Sequence, residues 1–192
     1  MEKTERRAFA LDNLKVERRD NLPPIIRGHA AVFNQLSLDL GGFREQIAPG
    51  AFADAIKADD VRALFNHNPD HVLGRNLSGT LRLVEDVRGL AIEIDPPDTQ
   101  VARDLMVSMD RGDITQMSFG FSVRPGGQDW AKNDEGVVVR TLKKLRLYDV
   151  SPVTFPAYPQ TDVAVRALHD WQGAQFHGTP ALLRARELEA RI

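Results

Sequence analysis

The chain has 192 residues, 42 % of them hydrophobic and 27 % charged, with a formal net charge of −2. This balance suits one soluble globular domain with a sizeable core and excludes a global basic field for holding nucleic acid. There is no cysteine, which excludes disulfides, thiolate metal sites and a cysteine nucleophile.

The opening stretch MEKTERRAFALD is charged and lacks the apolar segment of a secretory signal. No apolar run approaches the ~18 residues of a membrane-spanning helix, so a cytosolic place of synthesis is expected. RAFALDNLKV and IIRGHAAVF read as strands joined by a proline-containing turn, NLPP. PGAFADAIKA reads as a short helix, and VRALFNH as an apolar strand ending on His67. SGTLRLVED and GLAIEID form a predicted hairpin turning at residues 85–89. PDTQVARDLMVSMDRG is the clearer helix. Asp98 is its expected cap, Gly112 its stop, and Val101, Leu105 and Met109 recur at helical spacing.

ITQMSFGFSV follows at once as a strand with unequal faces. Met117, Phe119 and Phe121 form a bulky apolar face, and Ser118, Gly120 and Ser122 form a small one. A polar loop, RPGGQDWAKNDEG, then precedes the long strand VVVRTLKKLRLYDVS and the proline-rich loop PVTFPAYPQT. The domain edge is expected near Leu168, giving a domain over residues 1–168 and a linker with a C-terminal helix over 169–192. Many short strands with two helices predict a mostly-β domain with flanking helices, α+β in class and a barrel or folded sheet in form.

Three residues in this pattern could carry chemistry, and each has a plain structural reading beside it. His67 shares its expected strand face with Ala63 and Phe65. It is either a base at the rim of a cleft or a core-edge histidine bonded to a backbone carbonyl. Ser118 sits on the small face. The space above it would suit a nucleophile, which needs both an approach path and a neighbouring base, or it would simply pack against another element. Asp149 is expected on one face with Leu145 and Leu147. A lone carboxylate there is costly unless paired, so it either orients a histidine or caps the loop DVSP. His71 lies four residues beyond His67, a spacing that invites a metal, but Pro69 disfavours the helix that would align the two rings. His29 has apolar company, and His169 and His177 lie in the expected tail. No metal or cofactor is called for.

Six stretches in order carry a resemblance: GHAAVFN, FREQIAPGAFADAI, VRALFNHNPDHVLGR, SGTLRLVEDVRGL, GDITQMSFGF and LYDVSPVTFPAYPQTDV. Together they resemble the prohead, or procapsid maturation, proteases of tailed bacteriophages. That family is similar to the herpesvirus capsid-maturation proteases, so the resemblance implies a β-barrel surrounded by helices and a serine nucleophile. It implies His67 as general base, Ser118 as nucleophile and Asp149 as the third member, where the herpesvirus enzymes use a second histidine. His29 and His71 stay as outside candidates for that place. Backbone amides of SPVTFPAY are the expected oxyanion donors, and the small face of ITQMSFGFSV is expected to leave room for a substrate backbone over Ser118.

The implied role is a serine endopeptidase that cleaves a phage scaffold protein or scaffold segment, the major capsid protein, or both, and also itself. It would act inside the immature shell in the bacterial host cytoplasm, with the gene carried by a phage or prophage. A homodimer or higher oligomer is left open, and no nucleic acid or membrane partner is implied. One alternative is a catalytically inactive assembly or scaffold protein that keeps the protease fold. A small-molecule esterase is a weaker alternative, because the chain lacks the G-x-S-x-G elbow.

Overall fold

The alternation of apolar and polar residues resolves into many short strands. A computed structural model describes residues 4–10, 14–20, 22–155 and 162–177, with the backbone alone at residues 9, 10, 162–165 and 174–177. The first part of the chain forms β1 (Glu5–Ala10), β2 (Lys15–Arg19), β3 (Leu22–Val32), β4 (Arg44–Ile47), α1 (Ala53–Ala58), β5 (Arg62–Phe65) and β6 (Asn68–Arg75). Then come β7 (Leu81–Glu85), β8 (Gly89–Ile94), α2 (Gln100–Asp110), β9 (Gln116–Val123), β10 (Gln128–Lys132), β11 (Val138–Leu142), β12 (Leu145–Val153) and α3 (Asp162–His177).

The strands make three sheets, ordered β1-β9-β12-β5-β6, β10-β11-β4 and β2-β3-β8-β7. The mostly-β, helix-flanked class is therefore as expected, but the sheets are open. Among the described residues no ladder joins one rim to the other to close a barrel. Instead β9 of the five-stranded sheet packs against β3 of the four-stranded one. Their inner faces bury one core, in which Phe119 meets Phe121 at 5.0 Å between ring centres and Phe52 edge-on at 5.4 Å. Each such side chain contributes about 1.5–3 kcal/mol by leaving water.

The single strand expected at RAFALDNLKV is two strands in two sheets. β1 pairs with β9, and β2 pairs with β3. The hairpin of β7 and β8 is as expected, with Asp86 Oδ1 accepting the amides of Arg88 and Gly89 at 2.8 and 2.9 Å. In α2 the buried stripe is Ala102, Leu105, Met106 and Met109. Its cap is Thr99, whose side chain accepts from the amide of Ala102. The expected cap, Asp98, pairs with Arg103 instead. Gly112 ends the helix at φ +82°, where an L side chain is strained.

A second, smaller core holds α3. Leu168 packs with Leu40 and Phe43, and Trp171 stacks on Trp130 at 5.8 Å. The domain edge expected at Leu168 falls within this helix, and residues 178–192 lie outside the described residues. Beside this core Arg7, Glu5, Glu45 and Arg140 are all buried and mutually paired at 2.7–2.9 Å, tying β1 to β4 and β11. Buried charges persist only with such partners. Among the described residues no helix is long and apolar enough to cross a membrane.

Candidate active site

The site is assembled from a turn, a bulge and a register. β5 stops at Phe65, which faces Asn68 across the hairpin to β6, leaving Asn66 and His67 as a two-residue turn. Both have positive φ, 54° and 55°, as the favoured hairpin turn requires of its central residues. Among non-glycine residues, asparagine and histidine tolerate this region comparatively well. The expected strand face shared by Ala63, Phe65 and His67 does not exist, because the alternation ends before the histidine.

The turn is tied to the end of β12. The Asn66 amide donates to Pro152 O at 3.0 Å, its Nδ2 to Thr154 Oγ1 at 3.0 Å, and its Oδ1 accepts the Thr154 amide at 2.8 Å. β12 runs antiparallel to β9 and parallel to β5, which brings the end of β12 and the tip of the turn together.

The acid arrives by a bulge. Leu147 lies opposite Phe121, yet Asp149 lies opposite Gly120, so one extra residue enters β12 at Tyr148. A bulge re-aims the side chains that follow it. Leu147 therefore stays with the phenylalanines, while Asp149 turns to the small face of β9. The common face expected for Leu145, Leu147 and Asp149 is broken at that point. Past the bulge, Ser151 falls opposite Ser118.

On that face the side chains form one hydrogen-bonded chain. His67 Nδ1 lies 2.5 Å from Asp149 Oδ1, and His67 Nε2 lies 2.7 Å from Ser118 Oγ. A carboxylate can only accept, so Nδ1 carries a proton, and in the neutral imidazole Nε2 is the acceptor for the Ser118 hydroxyl. Ser151 Oγ also donates to Asp149 Oδ1, at 2.6 Å. With both ring nitrogens of His67 engaged, neither is left for a metal.

Gly120 has a use that its sequence context did not reveal. A Cβ there would lie 2.3 Å from Asp149 Oδ2. The small face of β9 is thus filled by the Asp149 carboxylate and is not the open substrate channel expected from the alternation. Ser118 is 0 % exposed, and the imidazole is 6 % exposed. Its neighbour on the small face, Ser122, is 4 % exposed with Oγ 3.0 Å from Tyr148 Oη.

The other histidines are placed elsewhere. His71 stacks on Phe65 at 6.3 Å with its Nδ1 3.4 Å from Asn68 Nδ2, and His29 Nε2 meets Asp86 Oδ2 at 2.8 Å. The ring bonded to Ser118 is that of His67. Of the expected oxyanion loop, SPVTFPAY, residues 156–158 lie outside the described residues. Ser151, Asn66 and the packing role of Gly120 escaped the sequence reading. The only available signals were the serine two residues after Asp149 and the asparagine before His67.

Residues 12–172 match the family model described as caudovirus prohead serine protease. The chain belongs to the caudovirus prohead serine protease family. It is 32 % identical over 149 residues to the prohead protease of Enterobacteria phage HK97, an alignment covering 76 % of this chain and 61 % of that one. The chain thus spans about three fifths of the length of that relative. Its fold is similar to that of the bacteriophage T4 capsid assembly protease, with a TM-score of 0.53 at 9 % identity, covering 79 % of this chain and 97 % of that one. The matched region takes in His67, Ser118 and Asp149. β1, one of the two strands paired with the Ser118 strand, precedes the matched residues.

Proposed function

We propose that this chain is a serine endopeptidase of procapsid maturation, with Ser118 as nucleophile, His67 as general base and then acid, and Asp149 as the group that orients the imidazole. The observation that carries the proposal is the unbroken hydrogen-bonded chain from Ser118 through His67 to Asp149. Ser118 Oγ would attack a peptide carbonyl carbon as its proton passes to Nε2. The C–N bond would then break, with that proton going to the leaving amine. Water activated by the same imidazole would hydrolyse the acyl-serine and restore the hydroxyl. Positioned proton transfer of this kind contributes about 10²–10⁴-fold. Asp149 would keep the proton on Nδ1 and stabilise the imidazolium, and Ser151 would hold the carboxylate by its second bond.

The names of the relatives, a prohead protease and a capsid assembly protease, suggest the substrates: a scaffold protein or segment, the major capsid protein, or both, within the immature shell. The protease itself would be a further substrate. A second reading, an assembly protein that keeps the fold without catalysis, draws on the complete burial of Ser118. In that case the hydroxyl would never meet a substrate.

Co-expression with scaffold and capsid proteins separates the two readings. Ser118→Ala is expected to abolish loss of scaffold on a gel while leaving the circular dichroism spectrum unchanged. Ser122→Ala should cleave within a few-fold of wild type, because its hydroxyl faces Tyr148 and not the imidazole. Cleavage by Ser118→Ala would sink the serine mechanism, and absence of cleavage by wild type would favour the assembly reading.

A further inference from the structure

Resting on the role proposed for His67, we infer that Asn66 is a positioning residue: its carboxamide clamps the His67 turn to Thr154 and so sets the imidazole against Asp149. Asn66 touches neither Ser118 nor Asp149. It is exposed, so it fills no core, yet its side-chain oxygen and nitrogen are both bonded to one residue, Thr154. Its own amide is bonded to Pro152 O. Three bonds therefore hold a two-residue turn to two positions of one chain segment, Pro152 and Thr154.

That segment is the continuation of β12, the strand that carries the rest of the constellation. Asp149, Ser151, Pro152 and Thr154 follow one another within six residues. The distance from His67 to Asp149 is then fixed by a short closed loop of structure: along β12 to Thr154, across the carboxamide to Asn66, and through one peptide bond to His67. Beyond its own strands, the turn is held by the Asn66 amide on Pro152 O, by the His67 ring bonds themselves, and by the two carboxamide bonds. β5 and β6 pair irregularly there, with register shifts on both sides of Leu64. Without the carboxamide clamp, the tip would keep its positive-φ conformation and its amide bond to Pro152 O but lose two of the three Asn66 bonds that set it over β12.

This reading separates the side chain from the backbone. Asn66→Gly adopts positive φ more readily than asparagine and removes the clamp. Asn66→Asp keeps an oxygen for the Thr154 amide, and the Thr154 hydroxyl can donate to the second oxygen. Thr154→Val removes the hydroxyl but leaves the amide bond.

The test uses the full chain with ¹⁵N-labelled histidine. The Nδ1 proton of His67 is followed by NMR, and acylation of Ser118 by p-nitrophenyl acetate is followed by intact mass. Asn66→Gly should lose or broaden the downfield Nδ1 proton and acylate about ten- to a hundred-fold more slowly, as expected for a displaced catalytic group. Its melting temperature should stay near wild type. Asn66→Asp should restore both the signal and the rate, and Thr154→Val should fall between. A normal Nδ1 signal and rate in Asn66→Gly overturns the inference, as does an aspartate variant no better than glycine. If Asn66→Gly fails to fold, an unaltered signal in Thr154→Val overturns it equally. Should wild type itself resist acylation, the peptidase reading fails, while the NMR comparison still decides the role of Asn66.

Discussion

Gly120 and Asp149 are matched atom to atom. A methyl on Gly120 would sit 2.3 Å from Asp149 Oδ2, well inside contact distance, so strand or carboxylate must move. Gly120→Ala is expected to lower cleavage by about 10²-fold, the order of loss for a catalytic group displaced by 1 Å, with the protein still folded by circular dichroism. Asp149→Asn keeps the shape but can present an N–H to Nδ1 and reverse the tautomer. In the chymotrypsin template that change lowers kcat by about 10⁴. About 10²-fold or more is expected here in scaffold cleavage, and an unchanged rate would leave Asp149 as a structural group only. The sequence marked His67, Ser118 and Asp149 as candidates, each with a structural reading beside it, and their roles came from the family resemblance. The way they meet was not legible there. Nothing in LYDVSPV announces a bulge at Tyr148, and the tetrapeptide FNHN does not by itself distinguish a strand from a turn. Both outcomes depend on pairing with residues distant in sequence.

At the scale of elements, β1 bears on the site although it lies before the matched region. It covers the edge of β9, with Ala8 opposite Ser118, and beside that ladder Glu5 and Arg7 tie it by ion pairs to β11 and β4. Burial opposes the charge on Glu5, but hydrogen bonds and attraction from Arg140, and from Arg7, outweigh it and hold the carboxyl below its ordinary value. A carboxyl depressed in the folded state stabilises fully above its unfolded value, about 4.3, and loses that contribution as pH falls through the folded one. Amide exchange in β1 should therefore stay slow from neutral pH down to about 4.3 and quicken below it. Glu5→Gln should remove this acid dependence and destabilise by about 3–5 kcal/mol in urea titrations, because it leaves buried arginines short of a partner. Exchange that quickens near pH 6 would place the responsible group elsewhere. The sequence conveyed the strand character of this stretch but not its division. RAFALDNLKV has the right residues for one long strand, and only the competing partners, β9 and β3, separate it into two.

The whole molecule limits where self-processing would fall if the chain cleaves itself. An endopeptidase acts on an extended backbone, whereas α3 is helical from Asp162 to His177. It is also docked, with Leu168 5 % exposed and Trp171 stacked on Trp130 at 5.8 Å. Trp130 in turn lies under the guanidinium of Arg140 at 5.6 Å, so the helix is joined through one arginine to the charge cluster that holds β1. Undocking α3 would disturb the second core and loosen the strand beside Ser118. Trimming at the C-terminal side should therefore spare the helix. If the protein processes itself there, mass spectrometry of purified wild type should find the new terminus beyond His177, with Trp171 retained, and Ser118→Ala should remain intact. A terminus between Leu168 and His177 would mean that α3 unwinds before cleavage, and the coupling to β1 then predicts faster amide exchange in that strand as well. Equal intact masses for wild type and Ser118→Ala, under conditions where scaffold is cleaved, would confine the activity to other chains.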